Sequence, residues 1–89
     1  KTNVKNIKYG LDTVMKLKPK QYDWKKDNRK DIGFIAQEVE EVIPEIVKDN
    51  EWFDDKIKTM DYEKLTAVLI KAVQEQQQQI NKLEEKLNG

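Results

Sequence analysis

The side chains that most enzymes use for nucleophilic attack or proton shuttling are missing here: among 89 residues there is no serine, cysteine or histidine. The remaining aliphatic hydroxyls for covalent chemistry are Thr2, Thr13, Thr59 and Thr66, and acid–base work falls to carboxylates and lysines, which any solvated surface carries. Glu38, Glu40 and Glu41 are spaced closely enough for paired carboxylate chemistry, but on a helix they read as its solvated side. Asp49, Glu51, Asp54 and Asp55 make an acidic stretch without the alternating ligands and central glycine of a calcium loop, so no metal is expected. Lys16, Lys18, Lys20, Lys25 and Lys26 surround Tyr22 and Trp24 in the manner of a nucleic-acid surface. Asp23 and Asp27 interrupt that stripe, and a solvated amphipathic surface accounts for it better. Neither a catalytic site acting alone, nor a cofactor, nor a small-molecule substrate follows from these residues.

The composition narrows the choice further. Seventeen basic and seventeen acidic residues cancel to no net charge, which leaves no long-range field to hold DNA or an anionic membrane. Without cysteine there is neither a disulfide framework nor a thiolate metal site. No apolar run reaches transmembrane length, and no signal stretch opens the chain. Only 37% of the residues are hydrophobic, so a single-chain core of this size is marginal and association is the natural way to supplement it.

The elements follow from periodicity. Val4, Ile7, Leu11 and Val14, with Met15 beside it, recur at helical spacing until Pro19, and Gly10 weakens that helix. In Gln21-Tyr22-Asp23-Trp24-Lys25, aromatic and polar residues alternate as in a half-buried strand, and Lys26 to Lys30 is a charged turn. From Asp31 to Pro44, Ile35, Val39, Val42 and Ile43 form one apolar face of a short helix with Glu38, Glu40 and Glu41 opposite. Glu45 to Lys48 and Lys56 to Met60 read as strands pairing across an acidic loop, Asp49 to Asp55, that carries Trp52 and Phe53.

From Asp61 to about Lys86 the spacing predicts one long helix, with Asp61 as N-cap. With Ile80 at heptad position a, Thr66, Val73 and Leu87 also fall at a, and Tyr62, Leu69, Gln76 and Leu83 fall at d. The seam Leu69, Val73, Gln76, Ile80, Leu83 and Leu87 is therefore predicted to oligomerise, with Gln76 as a polar layer that fixes register rather than part of an aggregation tract. Val73 and Ile80 at a with Leu83 at d lean towards two strands. Leu65 at g and Ile70 at e widen the face and lean the other way, so periodicity leaves the number open. The expected fold is mostly α within an α+β class: short N-terminal helices and small β elements on a long C-terminal helix. The expected division is a globular portion, residues 1–60, and an oligomerisation helix, residues 61–89.

Gly33-Phe34-Ile35-Ala36-Gln37-Glu38-Val39, followed by Val42-Ile43-Pro44-Glu45-Ile46-Val47, resembles the intramolecular chaperone auto-processing domain of phage tail spikes, tail fibres, neck appendages and endosialidases. The same domain type occurs in myelin regulatory factor proteins. The likeness extends over Lys1-Thr2-Asn3-Val4, Tyr9-Gly10-Leu11, Leu17-Lys18-Pro19, Tyr22-Asp23-Trp24-Lys25 and Met60-Asp61-Tyr62 with Leu65 and Leu69. It implies an intertwined homotrimer with a C-terminal coiled coil that aligns three copies of an upstream viral fibre or spike, in the virion tail or in the host cytoplasm during assembly. It implies also that Gly33, Phe34, Ala36 and Gln37 shape the globular portion. In that family the domain cuts itself free through a serine at its N-terminal boundary, with a lysine as base. Lys1 matches the lysine by its place before Thr2-Asn3-Val4, and the serine would lie upstream of Lys1. Without it, this chain should not cleave, although the parent protein would be a single-turnover serine autoprotease. The alternatives from other classes are the oligomerising, self-cleaving domain of a membrane-tethered transcription factor and a plain coiled-coil interaction domain.

Overall fold

The computed structural model describes residues 1–50 and 57–89. The chain is α+β, with a long C-terminal helix and two small two-stranded sheets. It divides into two compact units: Lys1–Met15 with Tyr62–Gly89, and Lys16–Asp61.

In the first unit, α1 (Leu11–Val14) is a single turn packed against α3 (Tyr62–Asn88). The helical spacing that begins at Val4 yields helix only from Leu11 onwards. Gly10, at φ −146° and ψ −139°, stands outside helical geometry, so the turn cannot extend back through it. Val14 N–H and Met15 N–H close the turn onto the carbonyls of Gly10 and Leu11, each at 3.0 Å. The 27 residues of α3 span about 40 Å at the usual helical rise. Glu63 in its first turn and Lys86 in its last oppose the helix dipole favourably. Along it Leu65, Val68 and Ala72 are buried, a stripe at i, i+3 and i+7.

The second unit begins with a hairpin of β1 (Lys20–Asp23) and β2 (Lys30–Gly33), antiparallel, with Tyr22 opposite Asp31 and Lys20 opposite Gly33. The strand over Tyr22 is thus as expected, whereas its partner takes Asp31, Ile32 and Gly33 out of the segment expected to form the short helix. Turn chemistry creates it. Asn28 adopts φ 55°, Asp27 Oδ1 accepts the Arg29 N–H at 3.0 Å, and Trp24 N–H reaches the Arg29 carbonyl at 2.9 Å.

Next, α2 (Ala36–Val42) runs into a 3₁₀ turn, Pro44–Ile46, where the proline ends the α-helix. Val39, Ile43 and Ile46 are almost fully buried and form the core of this unit. Ile35, expected on the same face, is 42% exposed because it precedes the helix in extended geometry. β3 (Val47–Asn50) and β4 (Ile57–Met60) pair antiparallel, Val47 opposite Met60, and α2 packs on both. The strand expected over Glu45 to Lys48 starts two residues later, because Pro44–Ile46 forms the 3₁₀ turn. Asp49 and Asn50 of the expected acidic loop belong to β3, and the rest of that loop, Glu51, Trp52, Phe53, Asp54 and Asp55, lies outside the described residues. The Asp61 N–H donates to the Ile46 carbonyl at 2.8 Å, and Lys48 Nζ lies 3.4 Å from Asp61 Oδ2.

Candidate functional site

The heptad residues of α3 face water. Leu69 is 43% exposed, Val73 63%, Ile80 42%, Leu83 60% and Leu87 85%, and Gln76 is exposed among them. The contrast with the buried residues is decided by helical phase. Leu65, Val68 and Ala72 stand at g, c and g, so the chain covers one flank of the helix and leaves the a/d stripe open. An apolar stripe this long and this open is costly unless another apolar surface covers it. Gln77 Nε2 donates to Asn81 Oδ1 at 2.9 Å, an i,i+4 pair lying off the seam.

The N-terminal segment meets α3 away from that stripe. Leu11 N–H donates to Glu75 Oε1 at 3.3 Å, so a carboxylate from α3 satisfies one of the free amides at the start of α1. Glu75 is at heptad position c. Asn6 and Ile7, with Ala67, Ile70, Lys71 and Gln74, line a groove of about 450 Å³ on other flanks of the helix. Lys1 is exposed.

In the second unit, Gly33 ends β2, and Phe34 and Ala36 are half-buried around the start of α2; Gln37 is exposed. The acidic side of α2 is less solvated than its pattern suggested. Of its three glutamates Glu41 is exposed, and Glu38 and Glu40 are half-buried. Glu40 Oε1 accepts a hydrogen bond from Lys58 Nζ, and Glu38 Oε1 lies 3.8 Å from Lys20 Nζ, an ion pair too long for a hydrogen bond. Those lysines come from β4 and β1, elements distant in sequence, which is why spacing alone could not reveal the pairs. The Glu40 hydrogen bond raises the Lys58 pKa above the usual lysine range. At the hairpin, Trp24 Nε1–H donates to Asp31 Oδ2 at 3.1 Å and Ile32 N–H to Asp31 Oδ1 at 2.9 Å. These two donors, with Arg29 adding a smaller attraction, hold the Asp31 carboxyl below the usual carboxylate range. Tyr22 packs edge-on against Trp24, with ring centres 5.5 Å apart, and the Arg29 guanidinium lies 5.7 Å from the Trp24 ring centre. The lysine–aromatic cluster is therefore partly committed to hairpin structure. Among the described residues no group of acidic side chains is arranged to hold a metal ion, and no helix is long and apolar enough to cross a membrane.

The family model described as the chaperone of endosialidase, peptidase S74, matches residues 1–48. The chain belongs to this family. It is also similar to the long tail fiber protein Gp37 of Enterobacteria phage M1, with 33% identity over 90 residues that cover 93% of this chain and 36% of the relative. The Gp37 protein of Enterobacteria phage Ox2 shows the same identity and coverage. The chain thus spans about a third of the length of these curated relatives. The exposed heptad stripe of α3 lies beyond residue 48, outside the family match.

Proposed function

We propose that this chain is the intramolecular chaperone of a viral tail fibre or spike, a homotrimer joined through the α3 seam that brings three copies of the upstream fibre into register. The observation that carries the reading is the open stripe Leu69, Val73, Gln76, Ile80, Leu83 and Leu87 on a chain of the chaperone family. Threading three chains into one fibre has a large entropic barrier. A strong trimer at one end makes that encounter effectively intramolecular. On this reading residues 61–89 hold the trimer and residues 1–60 form the globular chaperone portion, in the virion tail or in the host cytoplasm during assembly.

Release follows by autocleavage in the parent protein, at a serine upstream of Lys1 with Lys1 as its base. The fibre, once formed, is then held by its own barrier to unfolding. Sedimentation equilibrium of this chain over a range of concentrations tests the core of the proposal. A stable trimer is expected; a dimer favours a plain coiled coil, and a monomer removes the seam's role. Leu83→Asp should dissolve the trimer, because the three carboxylates would be buried against one another. For cleavage, the chain extended upstream through its natural serine should process itself, and Lys1→Ala should stop it. Cleavage at an unchanged rate would exclude Lys1 from the mechanism.

A further inference from the structure

Hydrogen bonding leaves the two edges of the β1–β2 hairpin unequal. The bond from Trp24 N–H to the Arg29 carbonyl sets the phase of the ladder. Tyr22 and Asp31 form a hydrogen-bonded pair, whereas Gln21 with Ile32 and Asp23 with Lys30 are non-hydrogen-bonded pairs. The N–H and C=O groups of those last four residues therefore point outwards, away from the partner strand. On the β2 edge, the Ile32 N–H is already taken by Asp31 Oδ1 at 2.9 Å. On the β1 edge, Gln21 and Asp23 are exposed, and their outward groups meet no partner among the described residues. The edge thus presents two donor–acceptor sets about 7 Å apart, the repeat of any extended chain.

Charge selects what can approach it. Lys16 and Lys18 precede β1, Lys25 and Lys26 follow it, and all four are exposed without a carboxylate partner among the described residues. The aspartates nearby offset them little. Asp27 accepts the Arg29 N–H and Asp31 accepts from Trp24 and Ile32, which leaves Asp23 within the strand itself. Cations therefore flank the open edge at both ends, and its centre carries one anion.

We propose that the β1 edge takes up an extended segment of another polypeptide, acidic at its ends and uncharged between them, as a third strand of the hairpin sheet. The inference is independent of the oligomer described under Proposed function. Main-chain groups match the edge, because the outward carbonyls of Gln21 and Asp23 need donors and a phosphate chain offers none. A second copy of β1 fits poorly, since pairing the two edges would set their flanking lysines against one another. Acidic ends on the incoming strand meet those lysines, and an uncharged centre avoids Asp23.

The probe is the blocked peptide Glu-Thr-Val-Thr-Val-Glu, added to the isotope-labelled chain and followed by amide NMR. The Gln21 and Asp23 amides should shift and exchange more slowly with water, while a peptide with lysine in place of both glutamates leaves them unmoved. N-methylation of the central peptide amides removes the main-chain donors and keeps every charge, and it should abolish the effect. Gln21→Pro deletes an outward donor without touching the ladder, and it should abolish the shift at Asp23 while the Tyr22 and Asp31 signals persist. No response at β1 with millimolar peptide overturns the proposal. Equal binding by the methylated peptide, or the same shifts with a single-stranded oligodeoxythymidylate, also overturns it and makes the lysines a general anion surface.

Discussion

Glu75 Oε1 occupies the place where a side chain on Gly10 would begin, and from there it accepts the Leu11 N–H at 3.3 Å. A Cβ built on Gly10 would fall on that oxygen, 2.8 Å from Glu75 Cδ and 3.3 Å from Lys71 Cγ. The glycine therefore serves close approach between the N-terminal segment and α3, and the carboxylate uses the space to cap α1.

Gly10→Ala should expel the Glu75 carboxylate, the mobile end of its side chain, and cost about 1 kcal/mol through the lost cap. Urea unfolding at fixed chain concentration measures it. In a Glu75→Ala background the sign should change. The alanine then meets mostly open space and restrains the unfolded chain, so it becomes neutral or stabilises by up to about 1 kcal/mol. Equal destabilisation in both backgrounds would sink the account.

Asp31 and Trp24 predict the acid side of stability. A carboxyl whose folded pKa is depressed stabilises the fold above its ordinary value, near pH 4, and that contribution is lost as pH falls through the lower folded value. Trp24→Phe removes the first donor. The Asp31 titration, followed by its carboxyl carbon shift, should move upwards towards the ordinary value, and acid unfolding should begin at a higher pH. An unmoved titration would mean that the backbone N–H of Ile32 holds the carboxylate by itself.

Lys58 and Glu40 act at the opposite end. A lysine whose pKa is raised in the folded chain contributes stability in full below its ordinary value, near pH 10.4, and loses it as pH rises through the higher folded value. The urea midpoint should therefore fall as pH rises above the ordinary lysine value, and part of that fall should vanish in Glu40→Gln. If the two alkaline profiles run parallel, Glu40 does not govern the lysine.

The parts legible from sequence are those set by local periodicity. α3 is written in the heptads from Leu69 to Leu87, and α2 in Val39 and Ile43 ahead of a proline that stops it. Even there, spacing could not say which apolar residues the chain keeps for itself: Leu65 and Val68 are buried while Leu69 and Val73, one turn on, are open. β2 was not legible because Lys30-Asp31-Ile32-Gly33 has little strand character; the turn at Asn28 and the Trp24–Asp31 bond bring it into register. Gly10 reads as a weak point in a helix because its reason, Glu75, lies far along the chain, 64 residues beyond Leu11.

Gln76 supplies the last prediction. It is exposed on a stripe that is otherwise Leu69, Val73, Ile80, Leu83 and Leu87. A polar residue at d, buried on association, lowers stability because its amide must leave water, and it fixes register because only one alignment lets the amides of all copies meet. Gln76→Leu should raise the thermal midpoint at a given chain concentration and at the same time broaden the stoichiometry, so that sedimentation fits a mixture of oligomers. Melting curves and sedimentation on the same sample separate the two effects. A midpoint that is unchanged or lowered would place Gln76 outside the seam and require the heptad phase of the distal helix to be reassigned.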